Sequence, residues 1–273
     1  MTKCHFFLLA VLVLLAVSCK KEPQGTSLSE YGAQSEATLT ARFEQYVVDL
    51  RLAPLDEAMR RQDSLMREAE RDSATWARTT SLEEKYLLDP NSPLRSEELY
   101  IPVVQHILSS PLATEAEIRK AEWLLPRLIL NRPGQKAADF GFITPKGRRN
   151  SLYAVLKEYK PEQTLLFFSN PGCPNCREIT ETLDSDPEIQ ARTASGALLV
   201  VNIYPDEDVQ AWLDYLPNYP SAWICGQDAD QLLNSETVYW LRAIPSLYLL
   251  DRQGCVVLKD APLEEVLVYC KQR

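Results

Sequence analysis

Thr164-Leu165-Leu166-Phe167-Phe168-Ser169-Asn170-Pro171-Gly172-Cys173-Pro174-Asn175-Cys176 is an apolar run that ends in a loop and a Cys-x-x-Cys pair. The segment after it, Arg177 to Leu183, suits a helix. Far downstream, Ala243-Ile244-Pro245-Ser246 leads into a second apolar run, Leu247-Tyr248-Leu249-Leu250. Strand, paired cysteines, helix and a late proline before another strand together describe a dithiol site. Two cysteines three apart at a helix start can close a small disulfide ring. The first sulfur then lies near unpaired backbone N–H groups and the positive end of the helix dipole, which favour the thiolate. Cys173 is therefore expected to be the nucleophile and Cys176 the resolving thiol that breaks a mixed disulfide. Pro245 is expected to be a cis-proline facing the pair, shaping the backbone of Ile244 to receive a substrate chain. Other readings of these residues are half of a zinc site, an inert structural disulfide and an ordinary trans turn proline. Zinc needs further ligands, and His106, Cys225, Cys255 and Cys270 have no finger-like spacing.

The N-terminal residues read as a targeting segment. Lys3 is followed by an apolar run from Phe6 to Val17, too short to span a bilayer. It ends in Leu15-Ala16-Val17-Ser18-Cys19, which resembles a bacterial lipobox, with Cys19 the residue that takes the lipid. A plain secretory peptide or an uncleaved anchor are the other readings. Residues 1–18 are expected to be a lipoprotein signal peptide and residues 19–35 a lipidated tether. That places the protein in the cell envelope, membrane-anchored and facing the periplasm.

Of the 273 residues, 38 are acidic and 29 basic, a formal charge of −9. The acidic balance argues against nucleic acid as a partner. No Gly-rich phosphate loop is present, and no cofactor or metal is expected. Seven cysteines fit an exported protein: Cys4 in the signal, Cys19 at the lipid site, the pair, and three others. Cys255 falls in a predicted strand and Cys270 in the last predicted helix. They are expected either to bridge or to remain two buried thiols, with Cys225 left over.

From Glu36 to Leu130 the apolar period is helical. Leu39, Phe43, Val47 and Leu50 mark one face; Pro54 suits the start of a second helix; Leu99, Val103 and Ile107 mark another. Thr114 and Glu117 form a capping-box pattern ahead of Ile118, Ala121, Leu125 and Leu128. The Leu87 to Pro93 stretch reads as a rigid turn before a restarted helix, leaving Arg95 and Glu97 as ordinary helix-start residues. After Gly134 the pattern becomes short strands alternating with helices. The expectation is a helical region over 36–130. Residues 131–273 should form an α/β domain with a mixed central sheet flanked by helices.

The C-terminal part resembles the TlpA/ResA-like branch of the thioredoxin superfamily. The resemblance is carried by Gly134 to Phe140, the Cys pair, and Tyr239 to Asp251. It implies a thioredoxin-like fold and the activity of an exported thiol–disulfide oxidoreductase. The helical half resembles a domain of unknown function that precedes thioredoxin-like domains in lipoproteins of Bacteroides-type bacteria, carried by Tyr86 to Glu98 and Asn131 to Gly134; it implies no activity. Two features depart from the pattern. Asn170-Pro171-Gly172 stands where a Trp is common, and Phe167 occupies the place of thioredoxin's buried acid. Glu178 and Glu181 lie beyond the pair, where surface positions are the simpler reading.

The expected function is disulfide exchange with thiols and disulfides of exported proteins, supported by an unidentified redox partner. A scaffold protein with a structural disulfide is the alternative. A thiol peroxidase is a lesser one, since Asn170 replaces the hydroxyl residue that peroxiredoxins carry three positions before the reactive cysteine.

Overall fold

In a computed structural model, residues 36–233, 235 and 238–271 are described. The expected signal peptide, Cys19 and the tether lie outside the described residues.

Five helices come first: α1 (Glu36–Leu52), α2 (Leu55–Ala69), α3 (Ser73–Glu83), α4 (Glu97–Ser109) and α5 (Glu115–Leu128). Local signals set their ends. Asp72 caps α3 by accepting from the Ala74 and Thr75 N–H groups, Ser96 caps α4, and Thr114 and Glu117 close the predicted capping box on α5. The faces predicted for α1 and α4 are buried: Leu39, Phe43, Val47 and Leu50 on one, Leu99, Val103 and Ile107 on the other. On α5 the buried residues are Ala121, Leu124 and Leu128; Leu125 is only partly covered.

The predicted turn after Leu87 begins earlier, as a π-helical turn over Glu84–Leu88 that runs directly on from α3. Its Asp89 N–H reaches back to the Glu84 carbonyl at 2.9 Å, five residues away. The Ser92 hydroxyl then bonds the Tyr86 carbonyl at 2.6 Å, and the Ser96 N–H bonds the Leu87 carbonyl at 3.0 Å. This folds the Asp89–Arg95 loop back onto the π turn and places the start of α4.

The sheet elements are β1 (Gly141–Ile143), β2 (Arg149–Ser151), β3 (Gln163–Phe168), β4 (Leu198–Tyr204), β5 (Ile224–Gln227), β6 (Ser246–Asp251) and β7 (Val256–Leu258). Between them lie α6 (Leu152–Tyr159), α7 (Pro174–Ser185), α8 (Pro187–Ala194) and α9 (Val209–Tyr215), with α10 (Leu263–Lys271) after β7. The strand order is β2-β1-β5-β4-β3-β6-β7. The β3–β4 and β4–β5 pairs are parallel, and β3–β6, β6–β7, β1–β2 and β1–β5 are antiparallel. This is the mixed sheet expected; β5 was not legible as a strand, and α8 splits from α7 at Pro187.

Alternation along the central strands builds two cores. Leu165, Phe167, Val200, Leu247 and Leu249 face α7, α8 and α10. Leu166, Phe168, Val201, Tyr248 and Leu250 face Phe140, Val155 and Tyr239 on the other side. A third core fills the helical half and takes one residue from far downstream, Trp240. The consecutive residues Tyr239 and Trp240 thus enter different cores.

The bridge considered between Cys255 and Cys270 does not form: both are free thiols, as is Cys225. Cys255 precedes β7 and pairs its backbone with Lys136, while Cys270 is buried on α10 among the residues under Phe167.

Candidate active site

The end of β3 delivers the chain to the site. Gly172 has φ +81°, a left-handed conformation suited to glycine, just before the helix start. Cys173 is the N-cap of α7 and Pro174 its first residue. Proline fits there because its missing N–H would have had no partner within the helix. The Cys173 sulfur accepts from the Cys176 N–H at 3.1 Å. Cys173 and Cys176 are joined as a disulfide with Cα atoms 5.2 Å apart. The two sulfurs differ in access: Cys173 is half-buried, whereas Cys176 is 3% exposed.

The Ile244–Pro245 peptide is cis, as expected, and the Ile244 carbonyl oxygen is 4.0 Å from the Cys173 sulfur. The tertiary structure thus brings together all four residues singled out from sequence at this site. Glu178 and Glu181 are exposed on α7, and Glu181 approaches Arg177 at 3.9 Å. They are surface residues and do not lie behind Cys176.

Beneath the pair the surroundings are aromatic. Phe167 is fully buried and meets Trp223 edge-on at 6.1 Å between ring centroids. Tyr219 stacks on Trp223 at 6.2 Å and shares a hydrogen bond with the Ser169 hydroxyl at 2.9 Å. The Asn202 amide donates to the same hydroxyl at 2.7 Å. Burial pushes the Tyr219 phenol up to about 12, so this chain stays neutral near pH 7. Asn170 donates its side-chain amide to the Asp206 carboxylate, and so offers no hydroxyl to a peroxide.

The segment before Pro245 is held by the helical half, and these residues were not legible as functional. Arg242 pairs with Glu97 at 3.1 Å and Asp260 at 2.6 Å, and donates to the Leu88 carbonyl. Lys259 pairs with Glu97 at 2.7 Å and donates to the Leu128 and Leu130 carbonyls at 2.7 and 2.5 Å. The Ser246 hydroxyl donates to Asp260 at 2.8 Å. Each charge alone looks like a surface residue in the sequence; only the packing of α4 on the β6–β7 end buries them together.

A mixed sheet with a disulfide-bonded Cys-x-x-Cys at a helix start and a cis-proline opposite defines a thioredoxin-like protein. Residues 31–125 match a domain of unknown function (DUF5106), and residues 150–261 match the thioredoxin-like domain. A thioredoxin-like protein from Bacteroides caccae, known as a crystal structure, is 35% identical; the match covers 89% of this chain and 86% of that one, with a TM-score of 0.79. The C-terminal domain of an uncharacterized Bacteroides fragilis protein is 39% identical over 52% of this chain and 99% of its own, with a TM-score of 0.48. No curated protein matches the sequence. The chain belongs to the thioredoxin-like proteins of Bacteroides type that carry an N-terminal DUF5106 domain.

Proposed function

We propose that the protein is a thiol–disulfide oxidoreductase, held at the cell envelope through a lipid on Cys19 and facing the periplasm. The observation that carries the activity is the asymmetry of the pair. A half-exposed Cys173 caps α7 beside the Ile244 carbonyl, and a buried Cys176 stands behind it.

In the reducing direction the Cys173 thiolate attacks one sulfur of a client disulfide. A Cys173–client disulfide forms, and the client's second sulfur leaves as a thiolate that takes a proton from solvent. Cys176 then loses its proton and attacks the Cys173 sulfur. The Cys173–Cys176 bond forms, the client's remaining sulfur departs, and two electrons have passed from the protein to the client. The oxidising direction is the reverse. The helix N-terminus supports the thiolate of Cys173 in both. Ile244 presents its backbone to the client chain, and Pro245 orients it.

The test is equilibration of the full chain in glutathione buffers with thiols counted by mass spectrometry. A Cys176→Ser variant is incubated with envelope extract in parallel. Exchange, together with covalent trapping through Cys173, supports the reading. A potential near about −270 mV assigns a reductase and one near about −120 mV an oxidant.

The scaffold reading is favoured by one observation, the burial of Phe167 where an acid would help move the Cys176 proton. A pair that exchanges with no dithiol under native conditions, in a chain that still binds a partner through its helical half, would support it.

A further inference from the structure

The helical half meets the segment before Pro245 through a buried charge cluster. Five charged side chains converge there from three parts of the chain. Arg95 and Glu97 come from the loop before α4 and its first turn, Arg242 from the segment before Pro245, and Lys259 and Asp260 from the end of β7. The Glu97 and Lys259 side chains are 2% exposed, Arg242 6% and Asp260 7%. A charge out of water persists only when paired, so each partner restrains the next.

The restraint is directional. Arg242 stands two residues before Ile244, whose carbonyl faces the Cys173 sulfur, and Ser246, one residue past Pro245, is bonded to Asp260. The same segment is gripped twice more, once by the helical core and once by the stretch just after α5. Trp240 enters the helical core and meets Trp123 edge-on at 5.8 Å, and Asn131 donates to the Val238 carbonyl at 2.7 Å.

We propose that Glu97 is a positioning residue for the exchange site, acting through Arg242. It holds the 239–245 segment so that the Ile244 backbone stands beside Cys173, and the helical half thereby forms part of the edge on which a polypeptide client docks. The claim rests on the oxidoreductase reading for its kinetic consequence, but not for its structural one. A small disulfide needs only the Cys173 sulfur. A polypeptide disulfide must also lay its backbone along the Ile244 edge, so only the second depends on the clasp.

The experiment uses the full chain, as wild type, Glu97→Gln, and the paired Glu97→Gln/Lys259→Met variant, which removes one charge of each sign. Rates of mixed-disulfide formation are measured with an unfolded disulfide-bearing polypeptide and with hydroxyethyl disulfide. Amide hydrogen exchange is followed over labelling times at which β3 stays protected in every variant. The expected result is a polypeptide rate about tenfold lower and a small-disulfide rate within about twofold of wild type, with faster amide exchange confined to 241–244. A folded variant whose polypeptide-to-small-disulfide rate ratio and 241–244 amide exchange both match wild type overturns the proposal. If Glu97→Gln does not fold, the paired variant decides by the same criteria. If wild type exchanges with neither disulfide, the oxidoreductase reading fails, and amide exchange alone decides whether Glu97 positions the segment.

Discussion

Glu97, in the first turn of α4, and Arg242, three residues before Pro245, pair at 3.1 Å with both side chains buried. The pair joins the helical half to the segment facing Cys173. Lys259 faces Glu97 at 2.7 Å and Asp260 faces Arg242 at 2.6 Å; burial still pushes the Glu97 carboxyl above its usual range, against the pull of Lys259 and Arg242. Removing one member leaves its partners charged and out of water, whereas removing a balanced pair does not.

Glu97→Gln is therefore expected to cost about 3–5 kcal/mol in unfolding free energy. Lys259→Met should cost at least about 1 kcal/mol less in the Glu97→Gln background than in wild type, because the ammonium has already lost its counter-charge there, while its bonds to the Leu128 and Leu130 carbonyls are lost equally in both. Urea unfolding of wild type, the two single variants and the double variant measures both. Additive losses would contradict the account of Glu97 and Lys259 as mutually neutralising charges.

The two sulfurs of the reduced pair should differ in reactivity. Cys173 caps α7 and is half-exposed, while Cys176 is 3% exposed. Iodoacetamide is expected to label Cys173 about tenfold faster or more. Desolvation pushes the Cys225 and Cys270 thiols up to about 12; the buried Cys270 should stay unlabelled at pH 8 until the chain unfolds, and the partly exposed Cys225 should label more slowly than Cys173. Site-resolved mass spectrometry reads these four cysteines in one time course. Equal rates at Cys173 and Cys176 would remove the basis for assigning the nucleophile.

A pH dependence is expected from Glu83, at the end of α3. Its side chain is fully buried beside Gln62, and loss of hydration pushes its carboxyl up to about 8. In the unfolded chain the same group titrates near the ordinary 4.5. Below that value it is protonated in both states, and its contribution to stability is fully present. As pH rises from about 4.5 through 8 the unfolded chain releases the proton first, and stability falls, by at most about 5 kcal/mol. Urea midpoints should therefore drop between pH 5 and pH 8 in wild type, and Glu83→Gln should flatten that slope. A slope unchanged in the variant would place the titration elsewhere.

Gly226 on β5 is packed under Phe142, and an added Cβ would collide with that ring and press on Ile203. Gly226→Ala should destabilise the fold by about 1–3 kcal/mol, because the ring has to shift within a filled core. Thermal unfolding gives the value. A variant as stable as wild type would mean the packing of β1 on β5 yields without cost.

Much of the fold and the candidate site was legible because their signals are local. The run from Thr164 to Phe168 alternates between two buried faces, so β3 could be read from hydrophobicity alone. Thr114 with Glu117, and Pro174 directly after Cys173, mark helix starts through backbone chemistry that operates within one turn. Cys173, Cys176, Ile244 and Pro245 stood out because their residue types carry specific chemistry. β5 was missed: Ile224 to Gln227 is short, contains Gly226, and pairs only with strands distant in sequence. The π turn was missed because Glu84 to Leu88 has the composition of an ordinary helix end.

By itself the sequence determined most of the order of elements, the helical and α/β halves, and the residues that form the cysteine pair and the cis-proline opposite it. All of these follow from interactions spanning a few positions. Only the tertiary structure decided that Cys255 and Cys270 remain separate thiols, that Trp240 leaves its neighbour Tyr239 to enter the other core, and that Glu97 closes on Arg242. The physical reason is distance along the chain. Glu97 and Arg242 are far apart in sequence, and each alone reads as a solvated charge. Their meaning arises when folding takes both out of water and leaves each as the other's partner.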